Sequence, residues 1–332
     1  MLVSFVIVAL NAAETLPILL LDLKKQDYDH SKIEVLLVDG GSNDKTKEIM
    51  EEFCINGGFN SIRVLDNPGR TLACGWNVAL DNLRGDVVLR VDAHASIPAN
   101  FVSESVSCIQ SGESICGGKV RSISYSESGW NKVLLFAENS AFGGGIAPFR
   151  RSEEEKYVKT LAFATYKREV FERVGRYDER LVRTEDNEMH YRMRKCGYKF
   201  RMDPKIESTR VTRSSFWGLI KQKYGNGFWI GLTMFVSPRC FSVYHFAPLI
   251  FFVAIVISLG LMCVGFTGPG YALGTVYCMF ALVSTVSIAI NEGFFLHLLA
   301  LPFVYFVMHV SYGLGTFIGL LKGPFWIRHN PS

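Results

Sequence analysis

The C-terminal part of this chain has almost no charge. Between Phe246 and Leu321, Glu292 is the one acidic or basic residue, and a stretch so poor in polar faces does not suit an element that must meet water. The 8 cysteines include no CxxC pair and none at metal-ligand spacing. That excludes a zinc ribbon and reads as reduced cytosolic or core residues. Neither GxGxxG nor a Walker loop occurs, so no motif supports a dinucleotide or ATP site. The net charge of +4 is small, and no basic cluster is interleaved with aromatics, which argues against nucleic acid as a partner. The stretch MLVSFVIVALNAAE lacks a charged n-region and its apolar run is short, so it does not read as a signal peptide.

What the tail does contain is three apolar runs, 246–266, 271–290 and 294–321, each reaching the roughly 20 residues a spanning helix requires. The sequence therefore predicts an integral membrane protein, with a domain over 1–213, an amphipathic interfacial segment over 214–240, a transmembrane region over 241–322 and a tail over 323–332. Lys221, Lys223 and Arg239 precede the first run and favour a cytosolic domain. Three spans would place Lys322 and Arg328 outside, against the same rule. Pro302 and several glycines leave open a re-entrant hairpin in the third run.

Apolar residues make up 49% of the 332-residue chain, enough for a sizeable core. Before the tail, short β-branched runs at 3–10, 33–39, 62–66 and 86–92 read as parallel strands buried on both faces. Helical patterns at 16–26, 45–53 and 72–82 lie between them. Such alternation predicts βαβ units, a mostly parallel sheet with helices on both faces, and a ligand crevice beyond the carboxyl ends of the strands. Polar residues follow each strand: Asn11 and Glu14, then Asp39 with GGSNDKT, then DNPGRT, then Asp92-Ala93-His94. In DGGSNDKT, Gly40 and Gly41 permit a tight turn, and Ser42 or Asn43 is placed to cap the next helix. An ordinary capped βα turn explains that segment equally well.

VSFVIVALNAAETLPILLLDL, IEVLLVDGGSNDKT, NPGRTLACGWNVAL, LRVDAHASIP, GRYDERLVRTEDNEMHYRMRKCGYKF and KQKYGNGFW stand in the order and approximate spacing of the inverting glycosyltransferases of family 2. Over about 2–229 the chain resembles that family, and most of all its membrane-anchored bacterial members that build exopolysaccharide units. The resemblance implies a GT-A fold, a Rossmann-like nucleotide-sugar domain. It assigns donor binding to Ala9, Asn11, Glu14, Asp39, Ser42, Asn67, Arg70 and Asp92, with Asp39 on the nucleotide base. Asp92 and His94 fall on the family's metal-binding Asp-x-Asp positions and imply a divalent ion, Mn²⁺ or Mg²⁺. An imidazole there tilts the choice toward Mn²⁺, and a loop histidine that only hydrogen-bonds is the alternative. Asp186 takes the role of catalytic base, with Glu185 as its neighbour. On their own, two acids at a helix start are better explained by the helix dipole, and it is the ordered motifs upstream that reverse this.

Thr184 reads as the cap of that helix, and Met189, Met193 and Cys196 as its apolar stripe. The glycine-rich stretch 138–157 reads as a mobile loop, with Arg150 and Arg151 as phosphate contacts or solvated charges. Processive members carry Gln-x-x-Arg-Trp where this chain has Gln222, Lys223 and, further on, Trp229 without the Arg-Trp pair. That departure, and the absence of a span before the domain, predict addition of a single sugar. Gln222, Lys223 and Trp229 are then acceptor-side or interfacial residues. The expected partners are a UDP-sugar, a lipid-linked saccharide, membrane lipids and other glycan-assembly membrane proteins at the cytoplasmic membrane. A polyprenyl-phosphate glycosyltransferase is the nearer alternative, and a transporter or scaffold with a nucleotide-sensing domain the more distant one.

Overall fold

The computed structural model describes residues 1–124, 128–144, 153–212 and 215–330. Arg150 and Arg151 lie outside them. The described residues within Met1–Arg121 and Pro148–Val211 form one compact unit, and those within Ser122–Ala147 and Thr212–Ser332 a second.

The first unit opens with β1 (Val3–Ala9), α1 (Leu16–Lys24), β2 (Ile33–Asp39), α2 (Thr46–Asn56), β3 (Ser61–Asp66), α3 (Leu72–Asn82) and β4 (Val87–Arg90). After β4 come β5 (Ala95–Ser96), α4 (Phe101–Gln110) and β6 (Ile115–Ile123). Helix α5 (Gly129–Asn139) belongs to the second unit. The first unit resumes with β7 (Lys156–Val158), β8 (Ala164–Lys167), α6 (Arg168–Val174), α7 (Glu185–Lys195) and β9 (Phe200–Val211).

The sheet order is β3-β2-β1-β4-β8-β6-β9-β5, with β7 paired to β9. The expected parallel sheet is its first half, since β3, β2, β1 and β4 run parallel. Beyond β4 the sheet continues through antiparallel strands, β8 against β4 and β6 against β8. Period-2 alternation explains how both faces of β1 are buried. Val3, Phe5 and Ile7 join Leu16, Leu19, Leu23, Met50 and Phe101 on one face. Val6 and Leu36 join Ala73, Trp76, Val170, Met189 and Met193 on the other. β3 departs from expectation: it is the edge strand and its residues are half-exposed.

Two glycines of this unit stand where nothing larger fits. A Cβ on Gly118 would overlap the Ile206 carbonyl, and one on Gly85 would sit 2.6 Å from Ser4 N.

The second unit continues with α8 (Phe216–Thr233), α9 (Ala247–Cys263), α10 (Gly268–Glu292) and α11 (Leu301–His329). Three helical stretches, Val243–Cys263, Gly268–Glu292 and Leu296–His329, are long and apolar enough to cross a membrane. The third run forms no hairpin. Pro302 stands in the first turn of α11, where a proline needs no hydrogen-bond partner, and the helix is continuous to its end. Gly315 and Gly319 face α8, where a Cβ would meet the Tyr224 and Phe228 carbonyls, and Gly313 faces the Pro248 carbonyl of α9. The segment read as interfacial therefore packs along α11. Trp229 meets Trp326 edge to face at 6.0 Å.

Helix α5 and the residues after it are built into this helical unit. Val133, Leu134 and Ala137 are buried with Leu219, Leu298, Leu301, Val304 and Tyr305. Tyr305 Oη donates to Ser140 Oγ at 2.8 Å, and His309 Nε2 lies 2.8 Å from the Phe142 carbonyl. Residues 138–144, read from their glycines as the start of a mobile loop, are thus fixed by hydrogen bonds and aromatic packing. Lys223 likewise has a partner, Glu138 Oε1 at 3.2 Å. Gln222 Oε1 is buried and makes no hydrogen bond among the described residues.

Candidate active site

The carboxyl ends of β1 to β4 carry the polar residues singled out in the sequence, and hydrogen bonds knit the first two ends together. Asn11 N donates to Ser42 Oγ at 2.9 Å, and Asn11 Oδ1 accepts from Asn43 N at 2.8 Å. Asp44 bridges the same two loops, accepting from Ala13 N at 3.1 Å and from Thr46 N at 3.0 Å. The N-cap position of α2 is Lys45, whose side chain caps nothing, and Ser42 and Asn43 instead serve the neighbouring loop. Ala9 stands opposite Asp39 in the register, and its carbonyl accepts from Gly40 N at 2.8 Å. Glu14 is exposed, just before α1.

Asp39 is 2% exposed, and its carboxylate accepts from Gly41 N at 3.0 Å and Ser42 N at 3.2 Å. Two carboxylate oxygens offer about four acceptor positions, so this turn does not exhaust them. Asn67 N donates to the Asp39 carbonyl at 2.8 Å, and its buried Oδ1 has no partner among the described residues. Arg70 is exposed beside Gly41, where φ is +75° and a Cβ would lie 3.6 Å from Nη1.

A second group of side chains comes from β4 and α7. Asp92 is partly exposed, and Arg90 Nε lies 3.9 Å from its Oδ1. His94 is exposed, and its carbonyl accepts from Val211 N at 3.3 Å. Asp186 is also partly exposed, its Oδ1 accepting from Asn187 N at 2.8 Å. Glu185 is only 4% exposed and lies 3.4 Å from Arg90 Nη2. Thr184 occupies the cap position expected of it, but it sits at φ +68° and its side chain caps nothing. Its hydroxyl donates to the Arg183 carbonyl instead.

Among the described residues, Asn11, Arg70 and Thr184 are the non-glycine residues with left-handed backbone. Each such residue costs about 1–3 kcal/mol, and such strain gathers at functional sites. Here all three adjoin the candidate residues. Pattern reading has no access to φ and could not have found them.

Arg90, Tyr177, Trp76 and His190 were also missed. Arg90 was detectable in principle, being the one charge between Val87 and Val91, and a buried charge requires partners. Its guanidinium lies 5.1 Å from the Trp76 ring. The segment bearing Tyr177 is held to α3 by Asn77, which accepts from Tyr177 N at 2.8 Å and donates to its carbonyl at 3.0 Å. His190 is wholly buried on α7, 2.8 Å from Thr160 Oγ1 and 2.9 Å from Tyr166 Oη.

Burial, then the neighbouring Asp186, pushes Glu185 from 4.5 up to about 8. Burial drives His190 from 6.5 down to about 3. The folded chain thus keeps a proton on Glu185 that the unfolded chain releases above pH 4.5, so this site's contribution to stability is lost as pH rises toward 8. Conversely, the unfolded chain binds a proton on His190 below pH 6.5 that the fold refuses, so stability is lost as pH falls toward 3. In melting curves of the full chain across pH, Glu185→Gln should flatten the alkaline loss and His190→Gln the acidic one. Limbs that both variants leave unchanged would contradict these protonation states.

The sequence profile described as "Glycosyl transferase family 2" matches residues 4–175, more than half of the chain. The chain belongs to that family. It is 25% identical over 330 residues to the dolichyl N-acetyl-alpha-D-glucosaminyl phosphate 3-beta-D-2,3-diacetamido-2,3-dideoxy-beta-D-glucuronosyltransferase of Methanococcus voltae, spanning 97% of this chain and 98% of that one. It is 29% identical over 196 residues to succinoglycan biosynthesis protein ExoA of Rhizobium meliloti, 58% of each chain. Among solved structures, a mannosyltransferase from Pyrobaculum calidifontis in complex with GDP-Man and Mn²⁺ superposes with a TM-score of 0.56 at 17% identity, covering 97% of this chain and 87% of that one. That likeness shows the fold, which is GT-A. The activity is that of a glycosyltransferase.

Proposed function

We propose that this chain transfers one sugar from a nucleotide donor, with inversion, to a hydroxyl of a lipid-linked saccharide at a membrane surface. The observation that carries the reading is the meeting of carboxyl groups far apart in sequence, Asp92 after β4 and the Glu185–Asp186 turn, around the buried cation Arg90. Asp186 keeps partial exposure, whereas Glu185 is buried. Of the pair, Asp186 is therefore the one able to take a proton from an acceptor hydroxyl. The acceptor oxygen forms the new bond to the anomeric carbon, the bond from that carbon to the diphosphate oxygen breaks, and the hydroxyl proton passes to Asp186.

On the donor side, Asp39 and Asn67 offer buried acceptors for base and ribose, with Asn11, Glu14 and Ser42 around them. Arg70 offers a cation for the diphosphate. No group of three or more His, Cys, Asp and Glu side chains gathered for a metal occurs among the described residues. That fits a site which takes a divalent ion through one or two protein ligands and completes it with substrate phosphates. Asp92 and His94 would hold the ion, which when bound offsets the charge developing on the departing diphosphate. The relatives support this reading, one by a name that describes transfer to a dolichyl-phosphate-linked sugar and the solved mannosyltransferase by its Mn²⁺.

The three apolar helices support membrane anchoring, and the cations before the first span support a cytosolic catalytic face. Gln222, Lys223 and Trp229 remain our acceptor-side candidates.

The reading is tested by nucleotide release from the full chain in detergent, with a panel of UDP- and GDP-sugars, a lipid extract as acceptor, and Mn²⁺, Mg²⁺ or chelator. Release should require acceptor and divalent ion. His94→Asp should move the preferred ion from Mn²⁺ toward Mg²⁺, read both by release and by the ion dependence of donor binding. Nucleotide binding without release under any acceptor would instead mark a sensor domain.

A further inference from the structure

Arg90 is the least comfortable side chain in the first unit. It is 4% exposed at the end of β4, and its Nε and Nη1 are buried without a hydrogen-bond partner among the described residues. The hydroxyl of Tyr177, also buried, acts on the guanidinium from beside it. A buried donor left unmade costs about 1–3 kcal/mol, more on a charged group, and Leu or Met at this position would avoid that cost while filling the space against Trp76. Two carboxylates and one carboxyl surround the guanidinium: Asp92 at 3.9 Å, Asp186, whose charge acts on it, and the protonated Glu185 at 3.4 Å.

A cluster of like charges with one central cation has a definite mechanical consequence. Without the cation, the Asp92 and Asp186 carboxylates repel and separate. With it, both are drawn to one planar group whose own position is fixed by the strand backbone and the Trp76 ring. A guanidinium presents donors in a rigid fork, so it sets directions as well as charge. Helix α7 is otherwise secured further along, by His190 and by Arg192, which donates to the Val174 carbonyl at 2.8 Å and the Arg176 carbonyl at 2.7 Å. Those anchors hold the body of the helix. The strained turn at Thr184, which aims its first residues, is steadied by Arg90.

We infer that Arg90 is a positioning residue of this glycosyltransferase, fixing the separation between the donor-side carboxylate Asp92 and the base-bearing turn Glu185–Asp186. Arg90 itself touches neither sugar nor nucleotide. The inference rests on the proposed role of Asp186. Because it acts on alignment in the reacting state, its loss lowers kcat and leaves donor KM nearly unchanged. A displacement of about 1 Å at such a site costs about 10²-fold in rate.

The test compares Arg90→Met, Arg90→Lys, Glu185→Gln and the Arg90→Met/Glu185→Gln double variant with wild type, all as full chains in detergent, by steady-state nucleotide release and thermal melting. Arg90→Met should lose about 10²-fold in kcat with donor KM within about threefold. Arg90→Lys should recover at least about tenfold of that loss, because it restores charge without the fork. The double variant should be no worse than Arg90→Met alone, since both changes remove one contact.

A kcat for Arg90→Met within about threefold of wild type, or a loss expressed in donor KM, overturns the inference. So does Arg90→Lys failing as badly as Arg90→Met while melting normally. If Arg90→Met does not fold, Arg90→Gln, which removes the charge but keeps a planar polar group, decides: the same kcat loss at constant KM sustains the inference, and an unchanged kcat ends it. Asp186→Asn run alongside separates the two levels. If that variant turns over, the base assignment fails; if it is inert while Arg90→Met is normal, only the role of Arg90 fails.

Discussion

Asp186→Asn should abolish sugar transfer, by about 10³-fold or more, while leaving nucleotide-sugar binding within about threefold of wild type. The size follows from the reaction. An inverting displacement has no covalent intermediate to share the work, and one carboxylate must accept the acceptor proton as the new bond forms; general base catalysis of this kind contributes about 10²–10⁴-fold. Asparagine keeps the size and the acceptor oxygen that receives Asn187 N, so the start of α7 should stay in place. Calorimetric binding of the donor, set beside turnover, separates a lost base from a lost fold. A variant that turns over at more than about a tenth of the wild-type rate would remove Asp186 from the mechanism.

The largest structural effect is expected at Gly227. Between membrane helices lipid is as apolar as leucine, so close van der Waals packing of small residues drives association. On α8, Gly227 and Gly231 approach the backbone of α11, where a Cβ on Gly231 would lie 2.6 Å from the Thr316 carbonyl and one on Gly227 would overlap the carbonyl of Tyr312. Leucine at Gly227 cannot be absorbed by a side-chain rotation, because the obstacle is backbone. We expect Gly227→Leu to separate α8 from α11 and to remove the monodisperse peak in detergent size-exclusion. Gly274→Leu on α10 is the control, since nothing lies within 4 Å of its Cβ. Equal behaviour of the two variants would contradict the packing described for α8 and α11.

Both predictions show how far the sequence could be read. The parallel half of the sheet was legible because β1, β2 and β4 are buried on both faces, and their composition records it. Asp39, Asn67 and Asp92 could be singled out because strand ends are where such sheets bind ligands, and they stand at or just beyond the ends of β2, β3 and β4. β3 was misjudged, since a β-branched run does not say whether a further strand covers its outer edge. In the antiparallel half, β5, β7 and β8 are only two to four residues long, too short for periodicity, while Gly117 and Gly118 in β6 and Pro204 in β9 interrupt the longer strands. Residues 138–144 misled for a different reason: their glycines suggested motion, but Phe142 is gripped by Tyr277, Tyr305 and His309, contacts far away in the chain.

The candidate site divides in the same way. Its exposed carboxylates and amides stand in recognisable positions, but what holds them does not. The left-handed turn at Thr184, the ring of Trp76 beneath Arg90 and the partners of His190 all depend on tertiary packing. Arg90 alone left a trace, as a charge in a strand where every neighbour is apolar.

The central claim is that this chain adds one sugar, with inversion, to a lipid-linked acceptor. The most direct measurement is product analysis after the full chain in detergent has consumed an α-linked nucleotide-sugar in the presence of lipid-linked saccharide: the mass added per lipid and the anomeric configuration of the new linkage by NMR. The account predicts a single added residue, β-linked. A retained α-linkage, or a ladder of lipids carrying several added sugars, would contradict it.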